Sequence, residues 1–209
     1  SLRTLIQQKK EDPGITKTIS ILTGDFLAPY LLSSVDKGAG MMKMLNQTPI
    51  DYVIFGNHED DLDHASVCRR TREYQGVWIN TNMQSHEMFE THHKPFEIVT
   101  ISSPDGSQTR KIGFIGVLSD SPALYRKNCF NGAKILDPYE TMRKYKKILE
   151  EEHKVDLVVP LCHLYVPQDM VTCKEFDFPV VLSGHDHHTV QETHFDTLLL
   201  KAGADAKNA

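Results

Sequence analysis

Short apolar runs that end in a glycine-containing polar turn, followed by segments of helical spacing, recur along this chain. Thr18-Ile19-Ser20-Ile21-Leu22-Thr23 predicts a strand that ends in Gly24-Asp25. Ser33 to Leu45 places Val35, Ala39, Met42 and Leu45 at helical spacing, with Pro49 past its end. Asp51 to Phe55 predicts the next strand, ending in Gly56-Asn57-His58. A helix over about Asp63 to Tyr74 follows, then a short strand over Val77 to Asn80. Phe96–Ile101 and Arg110–Val117 flank Pro104-Asp105-Gly106, the pattern of a hairpin. Asp137, Pro138 and Glu140 mark the start of a helix running to about Glu152, through an N-cap, a first-position proline and an acid three residues on. Val155–Pro160 and Pro179–Leu182 predict buried strands, and Val190–Thr193 with Thr197–Leu200 a closing hairpin.

The strands are continuously apolar, as burial on both faces requires. Alternation of strands and helices at both ends with a β-rich middle predicts an α/β fold, a four-layer α/β/β/α sandwich of two packed mixed sheets. No linker interrupts the pattern, so residues 1–209 read as one domain. Ser1 falls inside a helical segment (Leu2, Leu5 and Ile6 apolar), so the natural N-terminus is expected upstream.

Composition narrows the function classes. The 209 residues are 40% hydrophobic and 24% charged with net charge −5, and there is no basic tract, so a nucleic-acid polymer is not expected as partner. No apolar run approaches the roughly 18 residues of a membrane span, so no membrane partner is expected either. Cys68, Cys129, Cys162 and Cys173 lack C-x-x-C spacing and make no disulfide framework, which favours a reducing, cytoplasmic compartment.

Four strand ends carry matching chemistry: Gly24-Asp25, Gly56-Asn57-His58-Glu59, Cys162-His163 and Gly184-His185-Asp186-His187. The carboxyl ends of strands are where an α/β sheet gathers its functional groups. Asp25 offers two hard oxygens able to bridge a pair of cations, and Asn57 a neutral amide oxygen. His185 and His187, two residues apart in a turn, can reach two cations about 3.5–4 Å apart. His58 can face a substrate and donate to charge developing on a phosphoryl oxygen or leaving group, with Asp61 orienting its ring. Glu59, Asp60 and Asp63 read as solvated or capping residues, His188 as a solvated neighbour, and His92-His93 as a solvated loop. His64, His86, His153 and His194 lie on polar or helical stretches.

With these motifs together, the chain resembles the calcineurin-like metallophosphoesterases, and within them the 5′-nucleotidase branch, from Leu22-Thr23-Gly24-Asp25 to Lys201-Ala202-Gly203-Ala204-Asp205. The resemblance implies a metal-dependent phosphomonoesterase with two divalent metal ions (Mn, Zn, Fe, Co or Mg) and a metal-bound hydroxide as nucleophile. It makes Asp25 the bridging carboxylate, with Asn57, His163 and His185 completing one metal site and His187 ligating the other. His58 would be the catalytic histidine, with Asp61 as its partner. The implied substrate is a small phosphorylated molecule such as a nucleotide.

Two departures stand out. The family's first metal-binding motif, at the end of a strand before the opening helix, has no counterpart here and is expected before Ser1. Glu59-Asp60-Asp61-Leu62 lacks the aromatic that nucleotidases often place beside the aspartate, and the nucleoside-holding C-terminal domain of those enzymes has no counterpart. These leave open a non-catalytic binding or scaffold module with an incomplete metal site, and a phosphodiesterase or protein phosphatase of the same family.

Overall fold

A computed structural model describes residues 1–84 and 92–209; His86 lies outside them. Eleven strands are ordered among the described residues in three sheets. β1 (Ile21–Thr23), β2 (Tyr52–Ile54) and β3 (Val77–Ile79) form a parallel sheet in that order. β4 (Met83–Gln84) pairs with β7 (Lys134–Ile135) as a small antiparallel ribbon. The large sheet contains β5 (Glu97–Ser102), β6 (Thr109–Leu118), β8 (Leu157–His163), β9 (Val180–Ser183), β10 (Thr189–His194) and β11 (Thr197–Ala202), in the order β10-β11-β9-β8-β6-β5. Its inner pairs β6–β8, β8–β9 and β9–β11 are parallel, and both predicted hairpins close its edges as antiparallel pairs.

Ile54 and Ile79 from the small parallel sheet pack with Val99, Phe114, Val159 and Leu161 from the large one, so the two sheets share an apolar interior. Helices cover the outer faces. α1 (Leu2–Glu11), α2 (Ala39–Gln47) and α3 (His64–Glu73) lie over the three-stranded sheet, burying Ile6, Met42, Leu45 and Val67 against Val53 and Trp78. α4 (Pro138–Glu151) and α5 (Val166–Glu175) lie over the six-stranded sheet, with Met142, Leu149 and Cys173 packed on Ile115, Val158 and Val181. This is the predicted four-layer sandwich. Each fully buried Leu, Ile or Met removes apolar area worth roughly 1.5–3 kcal/mol from water.

Local chemistry explains the boundaries. Asp137 caps α4 by accepting from the Glu140 N–H at 2.8 Å, and Pro138 occupies the first turn. The helix expected over 33–45 is broken: Lys37 and Gly38 take left-handed backbone conformations, separating a single turn (Ser33–Asp36) from α2. Asp36 then accepts the Gly38 and Gly40 N–H groups. β8 continues three residues beyond the expected Pro160, to His163. α5 has no counterpart in the sequence reading, because its buried positions are Asp169, Thr172 and Cys173 rather than an apolar stripe. The four cysteines are free. No helix among the described residues is long and apolar enough to cross a membrane.

Candidate metal and phosphoryl-transfer site

The strand ends converge because glycines let them. Gly24 has φ +84°, and a Cβ there would stand 2.6 Å from both Gly56 N and His163 Nδ1. A Cβ on Gly56 would run into the carboxylate of Asp25. Below them, Phe26 and Phe55 each pack on buried Trp78, with ring centroids 5.3 and 4.5 Å away. The residues flanking Asp25 and Asn57 are thus anchored in the core, while the polar side chains face the gap between strand ends.

Within that gap four donor atoms face one another. His163 Nε2 lies 2.9 Å from Asp25 Oδ2, 3.1 Å from Asn57 Oδ1 and 3.1 Å from His185 Nδ1. Asp25, His163 and His185 form a group able to hold a metal ion. The other His163 nitrogen, Nδ1, is 2.7 Å from the Thr23 carbonyl oxygen and donates to it, which leaves the Nε2 lone pair aimed into the cluster. His185 Nε2 is buried without a hydrogen bond, and Asp25 Oδ2 has His163 Nε2 opposite it. Two imidazoles, a carboxylate and an amide oxygen converging with unsatisfied lone pairs fit a borderline divalent cation.

Burial opposes charge on both Asp25 and His163, but their mutual hydrogen bond and attraction outweigh it, lowering the Asp25 pKa and raising that of His163. Burial, and then the neighbouring His163 charge, pull His185 down to about 4, so it stays neutral.

His58 stands beside the cluster. Its backbone N–H donates to Asp25 Oδ1 at 2.8 Å, and its ring Nδ1 lies 2.7 Å from Asp61 Oδ2. The side chain is 35% exposed, so its outer edge remains open to a ligand from solvent. Arg126 Nη2 donates to the Asp61 carbonyl at 2.6 Å and steadies that turn. His187 does not join the donor group: it is exposed, and the group able to hold a metal comprises only its neighbour His185 with Asp25 and His163. His188 is likewise exposed.

Sequence reasoning underrated Glu59. It is a capping residue, as one of the two expected roles had it, but fully buried rather than solvated: Oε2 accepts the N–H groups of Asp25 (2.9 Å) and Gly56 (2.6 Å), and Oε1 those of Phe26 (2.8 Å) and Leu27 (2.9 Å). One carboxylate therefore ties the two turns that carry Asp25 and Asn57. Burial, and then the Asp25 charge, push its pKa up to about 7 against these four donors. Glu59→Gln turns an amide NH₂ toward two of those donors; at about 1–3 kcal/mol per unsatisfied buried group, the melting temperature should fall by several degrees. Asp60 is also buried and accepts the Phe130 and Arg126 N–H groups, whereas Asp63 caps α3 as expected. His93, expected in a solvated loop, packs edge-on against Phe55.

The chain is similar to several known proteins. An apyrase of Tabanus yao is 24% identical over 190 residues, which is 89% of this chain and 32% of the apyrase. The fold matches a 5′-nucleotidase precursor from Thermus thermophilus (TM-score 0.76, 18% identity, 97% of this chain and 41% of that one). It also matches the NAD nucleotidase of Haemophilus influenzae (TM-score 0.79, 15% identity, 97% and 38%) and a calcineurin-like phosphoesterase from Bacillus subtilis (TM-score 0.75, 16% identity, 97% and 72%). The chain thus spans about a third of the apyrase and about two fifths of the nucleotidases. A profile describing calcineurin-like phosphoesterases matches residues 1–189, and the chain belongs to that family.

Proposed function

We propose that this chain is the catalytic domain of a divalent-cation-dependent phosphoester hydrolase acting on small phosphomonoesters, with nucleotides as the favoured substrate class. The observation that carries the proposal is the convergence of Asp25, Asn57, His163 and His185 on one point, with His58 and Asp61 beside it. The names of the apyrase and nucleotidase relatives support the nucleotide class.

Asp25, Asn57, His163 and His185 would hold the cation. When bound, it supplies Lewis-acid polarisation of a phosphoryl oxygen and lowers the pKa of water toward neutrality. His163 keeps its Nε2 lone pair inward through the Thr23 carbonyl. Asn57 would add a neutral oxygen, so the four residues would leave a held divalent cation with net positive charge toward a phosphate dianion. His58, its Nδ1 proton held by Asp61, presents Nε2 to the charge that develops on the phosphoryl or leaving-group oxygen. Glu59 keeps the Asp25 and Asn57 turns at a fixed separation. A second cation would be held by Asp25 and His187, a reading that rests on the family resemblance and on the place of His187 two residues after His185.

The test is a panel of an aryl phosphate, nucleoside mono-, di- and triphosphates, cyclic nucleotides and a phosphopeptide, assayed with Mn²⁺, Co²⁺, Zn²⁺ and Mg²⁺ in the full-length protein. Nucleotide and aryl monoester hydrolysis that a chelator abolishes and cation restores is expected. Turnover unaffected by chelation, or no hydrolysis with any cation, would count against the proposal; the latter would favour a scaffold.

A further inference from the structure

β11 alternates buried and partly exposed positions, with Thr197 and Leu199 facing inward. The next inward position is Lys201, which is only 2% exposed. A buried ammonium is costly unless paired and hydrogen-bonded, so its presence in an otherwise apolar register needs a reason. Its Nζ lies 2.7 Å from the Leu164 carbonyl, 2.6 Å from the Gly184 carbonyl, 2.8 Å from Asp186 Oδ2 and 2.7 Å from Asp169 Oδ2. Asp169, on α5, is fully buried.

The placement of these acceptors is specific. Leu164 directly follows His163, and Gly184 directly precedes His185. Asp186 directly follows His185, and its Oδ2 also accepts the Val166 N–H at 3.0 Å, at the start of α5. A single ammonium therefore grips the backbone beside both histidines of the donor cluster, and through Asp186 it holds the turn on the other side of His185. That turn needs holding, because His185 has φ +77°, a left-handed conformation that non-glycine residues adopt at a cost. Strand pairing alone does not require the charge: β11 is registered on β9 by Leu198, Leu199 and Leu200. Replacing a buried ion pair by apolar residues is often neutral or stabilising, so stability is a poor reason to keep it.

We propose that Lys201, with Asp169 and Asp186, forms a positioning cluster that sets the separation of His163 and His185 for cation binding, an inference that rests on the proposed function. Lys201 touches neither substrate nor cation and acts through the two histidines.

The test uses the full-length protein and two readouts that need no turnover: the visible absorption bands of bound Co²⁺ during titration, and thermal melting of the metal-free protein. Lys201→Met and Asp186→Asn should each weaken Co²⁺ binding roughly 10–100-fold, the range found for residues that orient metal ligands, and alter the band intensities. Lys201→Met leaves Asp169 as a buried unpaired charge and should melt earlier. Adding the isosteric, neutral Asp169→Asn should recover most of the melting temperature without recovering Co²⁺ affinity. Should Lys201→Met not fold, Asp186→Asn decides, since Asp186 is less buried than Lys201 or Asp169. Wild-type Co²⁺ affinity and spectrum in Asp186→Asn, or in the double variant once its melting is restored, would overturn this inference alone. No Co²⁺ binding by the wild-type protein would overturn the proposed function and this inference with it.

Discussion

Asp25→Asn is expected to abolish tight divalent-cation binding and to lower phosphoester turnover by roughly 10³-fold or more. Asp25 is the only carboxylate in the donor group with His163 and His185. Its Oδ2 faces His163 Nε2, while Oδ1 accepts the His58 N–H. Asparagine keeps the shape and can still accept that N–H, so the fold should survive. What disappears is the negative charge that attracts the cation. A bound cation contributes several kcal/mol of transition-state stabilisation, and each 1.4 kcal/mol or so is a factor of ten in rate.

The same substitution has a pH signature without metal. Attraction to Asp25 raises the His163 pKa in the folded chain against the pull of burial, so this contribution to stability is complete below the ordinary histidine value and fades as pH rises through the raised one. The Asp25 pKa is lowered, so its share is present above the ordinary aspartate value and fades as pH falls through the lowered one. Asp25→Asn should therefore destabilise the metal-free protein most near about pH 5 and least in alkali. Thermal melts across pH, beside metal titrations, check both effects. Unchanged metal affinity with unchanged turnover would remove Asp25 from the centre.

His58→Asn should behave differently, keeping the cation and losing roughly 10²–10⁴ in kcat, the range for a positioned general acid or base. The contact that His58 makes with the cluster is through its backbone N–H to Asp25 Oδ1, and asparagine supplies the same N–H. The imidazole contributes only where substrate approaches, held by Asp61 and partly open to solvent. Separate measurement of kcat, KM and Co²⁺ affinity distinguishes the two aspartate and histidine variants. If His58→Asn releases metal while sparing turnover, the assigned roles are reversed.

The strand ends at Asp25, Asn57 and His185 were readable from the sequence because each combines an apolar run with glycine and a ligand-type side chain, whereas the end at His163 has no glycine and its strand runs three residues past the expected stop. The α4 start was readable for a similar reason, since Asp137, Pro138 and Glu140 act locally. What escaped depends on partners remote in sequence. Glu59 looks like any acid after a histidine, and its buried role emerges only when the Asp25, Phe26 and Leu27 amides arrive from a segment 32–34 residues earlier. Lys201 lies one residue past the strand expected over Thr197–Leu200, and its acceptors come from three other segments. α5 hid because polar residues fill its inward face, Asp169 among them. His187, expected at a second cation rather than with His185, is exposed and lies outside the group that His185 joins.

The most direct test of the account is the position of a cation bound to the protein. Crystals of the full-length chain grown with Mn²⁺ should give an anomalous difference peak within about 2.0–2.3 Å of Asp25 Oδ2, Asn57 Oδ1 and one nitrogen each of His163 and His185. A protein saturated with Mn²⁺ whose peak lies away from these four side chains would contradict it.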